Sequence, residues 1–288
     1  MANLKEIKRR IQSVKNTQQI TKAMKLVAAS KLRKAQQAIL EARPYAIKMM
    51  EVLNHLAARC NSDLHPLLNV REGKRHLLLI ITSDKGLCGG FNGAIIRKTA
   101  QYLQDNDENE NSLIVAGKKG NDIFSNRPVT ITEELVGWTK DFDHLKAQAI
   151  GEKLATMFSE NKIDKVSMIY NEFKSVMQQE VIVEQLLPVV PEKLEQGKDS
   201  YSVDYIYEPD EESILNEMLK RYMTVEVYRA FLESSASEHG ARMTAMDAAS
   251  RNAGEMIDGL TLTYNKARQA YITKELIEIV NGAEALKG

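Results

Sequence analysis

The sequence predicts an α/β fold joined to a coiled coil. A central α/β domain over 72–208 is inserted between two long terminal helices, 1–60 and 209–288, which pair antiparallel as a two-helix coiled coil. Three observations predict it. Beyond Pro209, the last proline, a heptad stripe runs from Met218 to Tyr271 with no proline inside it. The N-terminal segment carries a second stripe in the same alternation of four and three. Between them, short apolar runs alternate with amphipathic ones across glycine-rich turns, which is the pattern of strands and crossover helices.

In the first helix the stripe steps through Ala28, Leu32, Ala35, Ile39, Ala42, Ala46, Met49, Leu53 and Leu56, preceded by Ile7, Ile11, Val14, Thr21 and Met24. Two successive steps of four at Met24, Ala28 and Leu32 break strict period and locally unwind a supercoil. Pro44 removes one helical hydrogen bond and predicts a bend, because the apolar phase continues across it. The many alanines favour close approach of two helices.

In the middle of the chain, Arg75–Thr82 is a short apolar run of the kind buried in parallel sheets. Phe91–Leu103 reads as a helix and Asp105–Asn111 as a polar loop. Ser112–Ala116 is a second strand, Lys118–Ser125 a short helix and Val129–Thr132 a third strand. Asp141–Glu160 is a helix, Lys165–Tyr170 a fourth strand and Val176–Leu187 an antiparallel edge. Such alternation implies a mostly parallel sheet covered on both sides.

The terminal helix shows the longest stripe: Met218, Tyr222, Val225, Arg229, Leu232, Ala236, His239, Met243, Met246, Ser250, Ala253, Ile257, Leu260, Tyr264, Ala267 and Tyr271. Arg229, His239 and Ser250 are its interruptions. Both helices are anchored at the inserted domain, so they run antiparallel. The first spans roughly 80 Å and the second roughly 110 Å at the α-helical rise. The longer one therefore ends alone, carrying Ile272, Leu276, Ile277, Ile279, Val280, Ala283 and Leu286, and so much exposed apolar surface needs a partner.

Composition narrows the function. The 39 basic and 39 acidic residues balance, which argues against nucleic-acid binding by the whole molecule. Residues 1–34 nevertheless hold ten Lys or Arg against Glu6 alone. DNA, acidic lipid, an acidic protein and a merely solvated face all fit that helix, although no aromatic residues interleave to stack single strands. No apolar run is long enough to span a membrane, and the start lacks the pattern of a secretory signal. Cys60 and Cys88, with five scattered histidines, make no metal site and fit reduced thiols.

The Ser83–Asn92 loop, SDKGLCGGFN, follows a strand and opens a helix, where phosphate is often held. Its Gly86, Gly89 and Gly90 spell G-x-x-G-G, not the dinucleotide fingerprint, and no P-loop occurs. The competing reading is a structural glycine turn at Gly86, Cys88, Gly89 and Gly90 that needs positive φ and close backbone packing. Cys88 has no sequence-adjacent histidine as a base, so a packed thiol is favoured over a nucleophile. Asp204–Glu212 is either a linker into the terminal helix or a docking surface anchored by Tyr205 and Tyr207. Trp138 is expected in the core. No catalytic constellation emerges and no cofactor is implied.

Ile11–Lys31, with I-x-x-V-x-N-T-x-Q-I-T-K-A-M-x-x-V-A-A-S-K, resembles the N-terminal signature of the gamma subunits of F-type ATP synthases. Asp84–Gly90 matches that family's D-[KR]-G-L-C-G-G motif. Tyr264–Ala270, YNKARQA, with Ile272, Thr273, Glu275 and Leu276, is similar to its C-terminal signature. The resemblance implies a Rossmann-like central domain and a central stalk rotor. This shaft couples ion flow through the membrane c ring to conformational cycling of three catalytic beta subunits, in ATP synthesis or hydrolysis. It has no catalytic site of its own. Implied partners are the alpha and beta subunits, the epsilon subunit and the c ring, with membrane contact only through the complex. Met24, Lys25, Arg268, Gln269 and Thr273 are implied at the rotor–stator contact. Tyr205, Tyr207 and Glu208 are implied in the foot facing the c ring and epsilon. No plastid-type regulatory cysteine pair is present, and the missing presequence implies the cytoplasmic face of a bacterial inner membrane.

Two other classes stand beside that resemblance. One is a Rossmann-type nucleotide-binding enzyme with helical oligomerisation arms, which requires a functional glycine loop and an acidic ribose ligand. The other is a passive coiled-coil scaffold, which would pair its helices between chains.

Overall fold

A computed structural model of the chain describes residues 4–59, 65–190 and 211–285. The order of elements is α1 (Leu4–Arg59), β1 (Arg75–Ile81), α2 (Phe91–Asp105), β2 (Glu110–Ala116), α3 (Lys118–Phe124), β3 (Thr130–Leu135), α4 (Trp138–Asp141), α5 (His144–Ser159), β4 (Lys165–Phe173), β5 (Gln179–Leu187) and α6 (Glu211–Ala285). Two compact units result, one joining residues 1–28 to 243–288 and the other holding 29–242.

In the larger unit the sheet order is β3-β2-β1-β4-β5. The first four strands run parallel and β5 pairs antiparallel to β4. β1 is central. Its Leu77, Leu79 and Ile81 point into a core shared with α5, α6 and the end of α1. Leu78 and Ile80 point into a second core under α2 and α3. A run of apolar residues without alternation is what a strand covered on both faces requires. The polar 105–111 segment is a shorter loop than its composition suggests, because Glu110 already pairs in register with Arg75 and opens β2.

The helix expected over 141–160 is α5, which starts later, at His144, while Asp141 ends the short α4. Asp143 is extended and its carboxylate accepts the Lys146 backbone N–H at 3.0 Å, so a fresh N-cap starts α5. The break frees Phe142 to stack on Phe231 of α6 with ring centroids 3.9 Å apart. Trp138 packs against Phe231 edge-on with ring centroids 4.9 Å apart and donates its indole N–H to the Thr82 carbonyl at 2.9 Å. A buried tryptophan needs such a partner for its polar edge.

In this unit α6 shows two faces. One is the heptad stripe, with Val225, Ala236 and His239 buried. The other, Leu215, Leu219, Met223, Val227, Ala230, Ser234, Ser237 and Ala241, is also buried and lies against the sheet domain. α5 crosses α6 at Gly151, where a Cβ would come within 3.2 Å of the Thr224 backbone nitrogen.

In the smaller unit α1 and α6 run antiparallel, since Gln18 meets Ser250 while Lys25 meets Asp247. The Gln18 amide donates to the Ser250 carbonyl at 3.3 Å. Gly254 leaves room for it, because a Cβ there would lie 3.1 Å from Gln18 Nε2. Past Ala267 every described α6 residue through Glu284 is exposed.

Candidate functional site

In an open parallel sheet, ligands bind beyond the carboxyl ends of the strands where the strand order reverses. Here that point lies between β1 and β4, and the Ser83–Asn92 turn leaves β1 beside it. The turn's polar groups are spent on the chain itself. The Asn92 side-chain oxygen accepts the Ser83 backbone N–H at 2.9 Å, and Ser83 Oγ donates to the Lys85 carbonyl at 2.6 Å. Asn92 Nδ2 donates to Cys88 Sγ at 3.2 Å. Cys88 is 2% exposed, and burial pushes its thiol pKa up, which works against a thiolate nucleophile.

Positive φ falls on Leu87 (63°) and Gly89 (58°). A Cβ on Gly86 or Gly90 would meet no atom within 4 Å. Asp84 binds the neighbouring loops together. Its Oδ1 accepts the backbone N–H of Gly137 at 3.0 Å and of Lys118, at the start of α3, at 3.3 Å. Its Oδ2 accepts the Thr139 hydroxyl at 2.8 Å. A carboxylate of the chain thus takes a helix N-terminus where an anion could otherwise sit.

The reversal point itself is filled by α6. Ser234 Oγ accepts the Asn171 backbone N–H at 3.4 Å, Ser237 Oγ donates to the Asn171 carbonyl at 3.1 Å, and Glu233 accepts the Phe173 N–H at 2.9 Å. Arg242 donates to the Lys85 and Gly86 carbonyls at 3.2 Å and pairs with Glu238 at 2.6 Å. Burial pushes the Glu238 carboxyl up while Arg242 opposes that. Burial first, then Arg242, lowers His239 to about 4, so it is neutral at pH 7. α6 therefore bonds both the carboxyl end of β4 and the turn after β1.

A family model described as ATP synthase matches residues 3–286. The ATP synthase gamma chain of Geobacter sp. (strain M21) is 48% identical over 290 residues, covering all of both chains. That of Moorella thermoacetica is 47% identical over 287 residues, again covering both completely. This chain belongs to the ATP synthase gamma-chain family. A chain from the central stalk and c-ring structure of Tetrahymena thermophila mitochondrial ATP synthase is 30% identical to this gamma-chain family member. It has a TM-score of 0.62 and covers 80% of this chain and 99% of that one. A Euglena gracilis mitochondrial ATP synthase chain at 20% identity and TM-score 0.73 covers 98% and 94%, a likeness of fold.

The residues that the gamma-chain resemblance singled out fall in different places. Met24 is half-buried, and Lys25 reaches Asp247 at 2.5 Å. The Lys25 hydrogen bond holds the Asp247 carboxyl below its usual range, and Arg251 adds to this at 3.1 Å. Arg268, Gln269 and Thr273 are exposed on α6, and the Thr273 hydroxyl donates to the Gln269 carbonyl at 2.9 Å. Tyr205, Tyr207 and Glu208 lie outside the described residues. On α1, Lys8, Arg9, Arg10, Lys15 and Lys22 are exposed. Among the described residues no helix is long and apolar enough to cross a membrane.

Sequence reasoning missed the sheet-facing stripe of α6. Its first half repeats Leu, Leu, Met and Val at steps of four, a signal that was available. Its second half, Ala230, Ser234, Ser237 and Ala241, is small and partly polar, which concealed that Ser234 and Ser237, with neighbouring Glu233, bond the end of β4.

Proposed function

We propose that this chain is the central rotor shaft of a bacterial F-type ATP synthase, transmitting torque between a membrane c ring and the three catalytic beta subunits without breaking bonds itself. One observation carries the reading. α6 is a single helix of 75 residues. It includes both the groups that lock it to the sheet, at Ser234, Ser237 and Arg242, and an exposed apolar end with Ile272, Leu276, Ile277, Ile279 and Val280 between 45% and 63% exposed. A continuous helix fixed at one place and unsatisfied at another is built to enter a partner.

The terminal segments 1–60 and 209–288 act as an antiparallel coiled coil, supported by the Gln18–Ser250 and Lys25–Asp247 pairs in one unit and by Leu53 and Leu56 sharing a core with Leu215 and Leu219 in the other. The segment 72–208 acts as the Rossmann-like body. Met24, Lys25, Arg268, Gln269 and Thr273 meet the alpha–beta ring. The exposed basic face of α1 meets acidic loops of beta, an attraction that tolerates movement better than a shaped fit. Tyr205, Tyr207 and Glu208 form the foot on the c ring and epsilon. The chain is peripheral at the cytoplasmic face of the plasma membrane. An asymmetric shaft contacts three identical subunits unequally, and unequal contact free energy sets their conformations apart.

Deleting the last dozen residues tests this. The expected result is weaker assembly with alpha and beta and lower torque, with ATP hydrolysis largely retained. Loss of a nucleotide-binding activity from the isolated chain on that truncation would contradict it.

A further inference from the structure

The chain contains two Asn–Gly pairs, Asn92–Gly93 and Asn281–Gly282. An asparagine before glycine is prone to lose its side-chain amide, because glycine has no Cβ to hinder attack by its own backbone nitrogen. The structure treats the two pairs in opposite ways.

Asn92 is locked. Its side-chain oxygen accepts the Ser83 backbone N–H at 2.9 Å, and its Nδ2 donates to Ser83 Oγ at 2.7 Å and to Cys88 Sγ at 3.2 Å. Asn281 is exposed, as is Gly282, and its side chain makes no hydrogen bond among the described residues. A Cβ on Gly282 would meet no atom within 4 Å, so no packing contact calls for a glycine there. The pair sits close to the end of α6 at Ala285, where glycine weakens a helix that nothing else supports. Such ends open readily.

We infer that Asn281 is a deamidation site, converted to a mixture of aspartate and isoaspartate, and that the change loosens the end of α6. In an opened turn the Gly282 backbone nitrogen bonds to the side-chain carbonyl carbon of Asn281 and gives up its proton. The bond to the amide nitrogen breaks, and ammonia leaves with that proton. Water then opens the cyclic imide at either carbonyl, adding its hydroxyl to the carbon and its proton to the released nitrogen. One opening yields aspartate. The other yields isoaspartate, whose backbone runs through the former side chain.

The new carboxylate stands three residues from both Glu278 and Glu284, where like charges on a helix repel. Lys274 is already paired with Glu278 at 3.5 Å. The carboxylate also lies at the negative end of the helix dipole. Isoaspartate adds a methylene to the main chain and spoils the register of the helical hydrogen bonds. The mark falls on the apolar end that the shaft reading sends into a partner, yet neither the chemistry nor its test depends on that reading.

Peptide mapping by mass spectrometry of the full chain, aged in neutral buffer, tests the inference. Conversion at Asn281 should run about tenfold or more ahead of Asn92, because only Asn281 opens locally. Each event adds about 1 Da, and enzymatic methylation marks the isoaspartate. In urea, where the bonds around Asn92 are gone, the two sites should convert at similar rates. Gly282→Ala should slow conversion at Asn281 severalfold. Asn281→Asp should speed hydrogen exchange over residues 276–285. An Asn281 that stays intact, or equal rates at both sites in the folded chain, would overturn the site. Unchanged exchange in Asn281→Asp would overturn the loosening.

Discussion

Ser237 of the terminal helix donates its hydroxyl to the backbone carbonyl of Asn171, at the far end of β4, across 3.1 Å. Both residues are buried, at 0% and 2% exposure. A hydrogen bond in that position couples helix to sheet in a way that apolar packing alone does not, because it fixes the axial position of one against the other. Replacing Ser237 by Ala strands a buried carbonyl and should cost about 1–3 kcal/mol. Urea unfolding of the chain measures this, with Ser235→Ala as the control on a position where no such bond to the sheet is made.

Asp84 is the second fastening. It collects backbone N–H groups from Lys118, Gly137 and Thr139 as well as the Thr139 hydroxyl. Asp84→Ala leaves several donors at the sheet's carboxyl edge without their acceptor. The expected loss is about 2–3 kcal/mol, typical of hydrogen bonds to a charged group. Hydrogen exchange should rise at Gly137 and Thr139 first and leave β4 unchanged.

The glycines divide into two groups. At Gly117, φ is 95° and a Cβ would lie 2.1 Å from the Thr82 carbonyl oxygen, so Gly117→Ala should destabilise the chain by more than about 2 kcal/mol. Gly86→Ala and Gly90→Ala meet open space and should leave chain stability within about 1 kcal/mol of the parent. The comparison is made by thermal melts of the three variants. A defect of Gly86→Ala that shows only after assembly with partner subunits would assign that glycine to a partner contact.

Much of the architecture was legible in the residues, and the losses have physical reasons. The β1 run and the Val176–Leu187 edge could be read because parallel and antiparallel strands differ in periodicity. The helix expected over 141–160 begins only at His144, because Phe142 and Asp143 fit a helical pattern while their tertiary roles, stacking on Phe231 and capping α5, are invisible in sequence. Arg229, His239 and Ser250 looked like flaws in a stripe. Arg229 is an ion-pair hub for Glu184 and Glu226, His239 is buried neutral, and Ser250 offers its carbonyl to Gln18. The glycine turn was located by sequence, but the positive φ at Leu87 was not foreseeable, since leucine rarely adopts it.

Acid should loosen the chain through Asp164. This carboxylate is 4% exposed and paired with Arg75 at 2.6 and 2.9 Å, and that hydrogen bond holds its pKa below the usual value of 3.8. The unfolded chain therefore binds the proton more readily. The stabilisation is complete above the unfolded pKa and is lost as pH falls through the folded one. Asp164→Asn should be less stable than the parent at pH 7, and the gap should narrow as pH drops below about 4. Chemical denaturation across that range measures the gap; a constant gap would show that Asp164 contributes no pH dependence.

The most direct test of the shaft is to see it turn. With the alpha–beta ring of the assembled complex fixed to a surface and a bead on a cysteine placed at exposed Thr132 of β3, addition of ATP should produce continuous rotation in one direction, with three dwells per turn. A bead that stays fixed while the same complexes hydrolyse ATP would contradict the account.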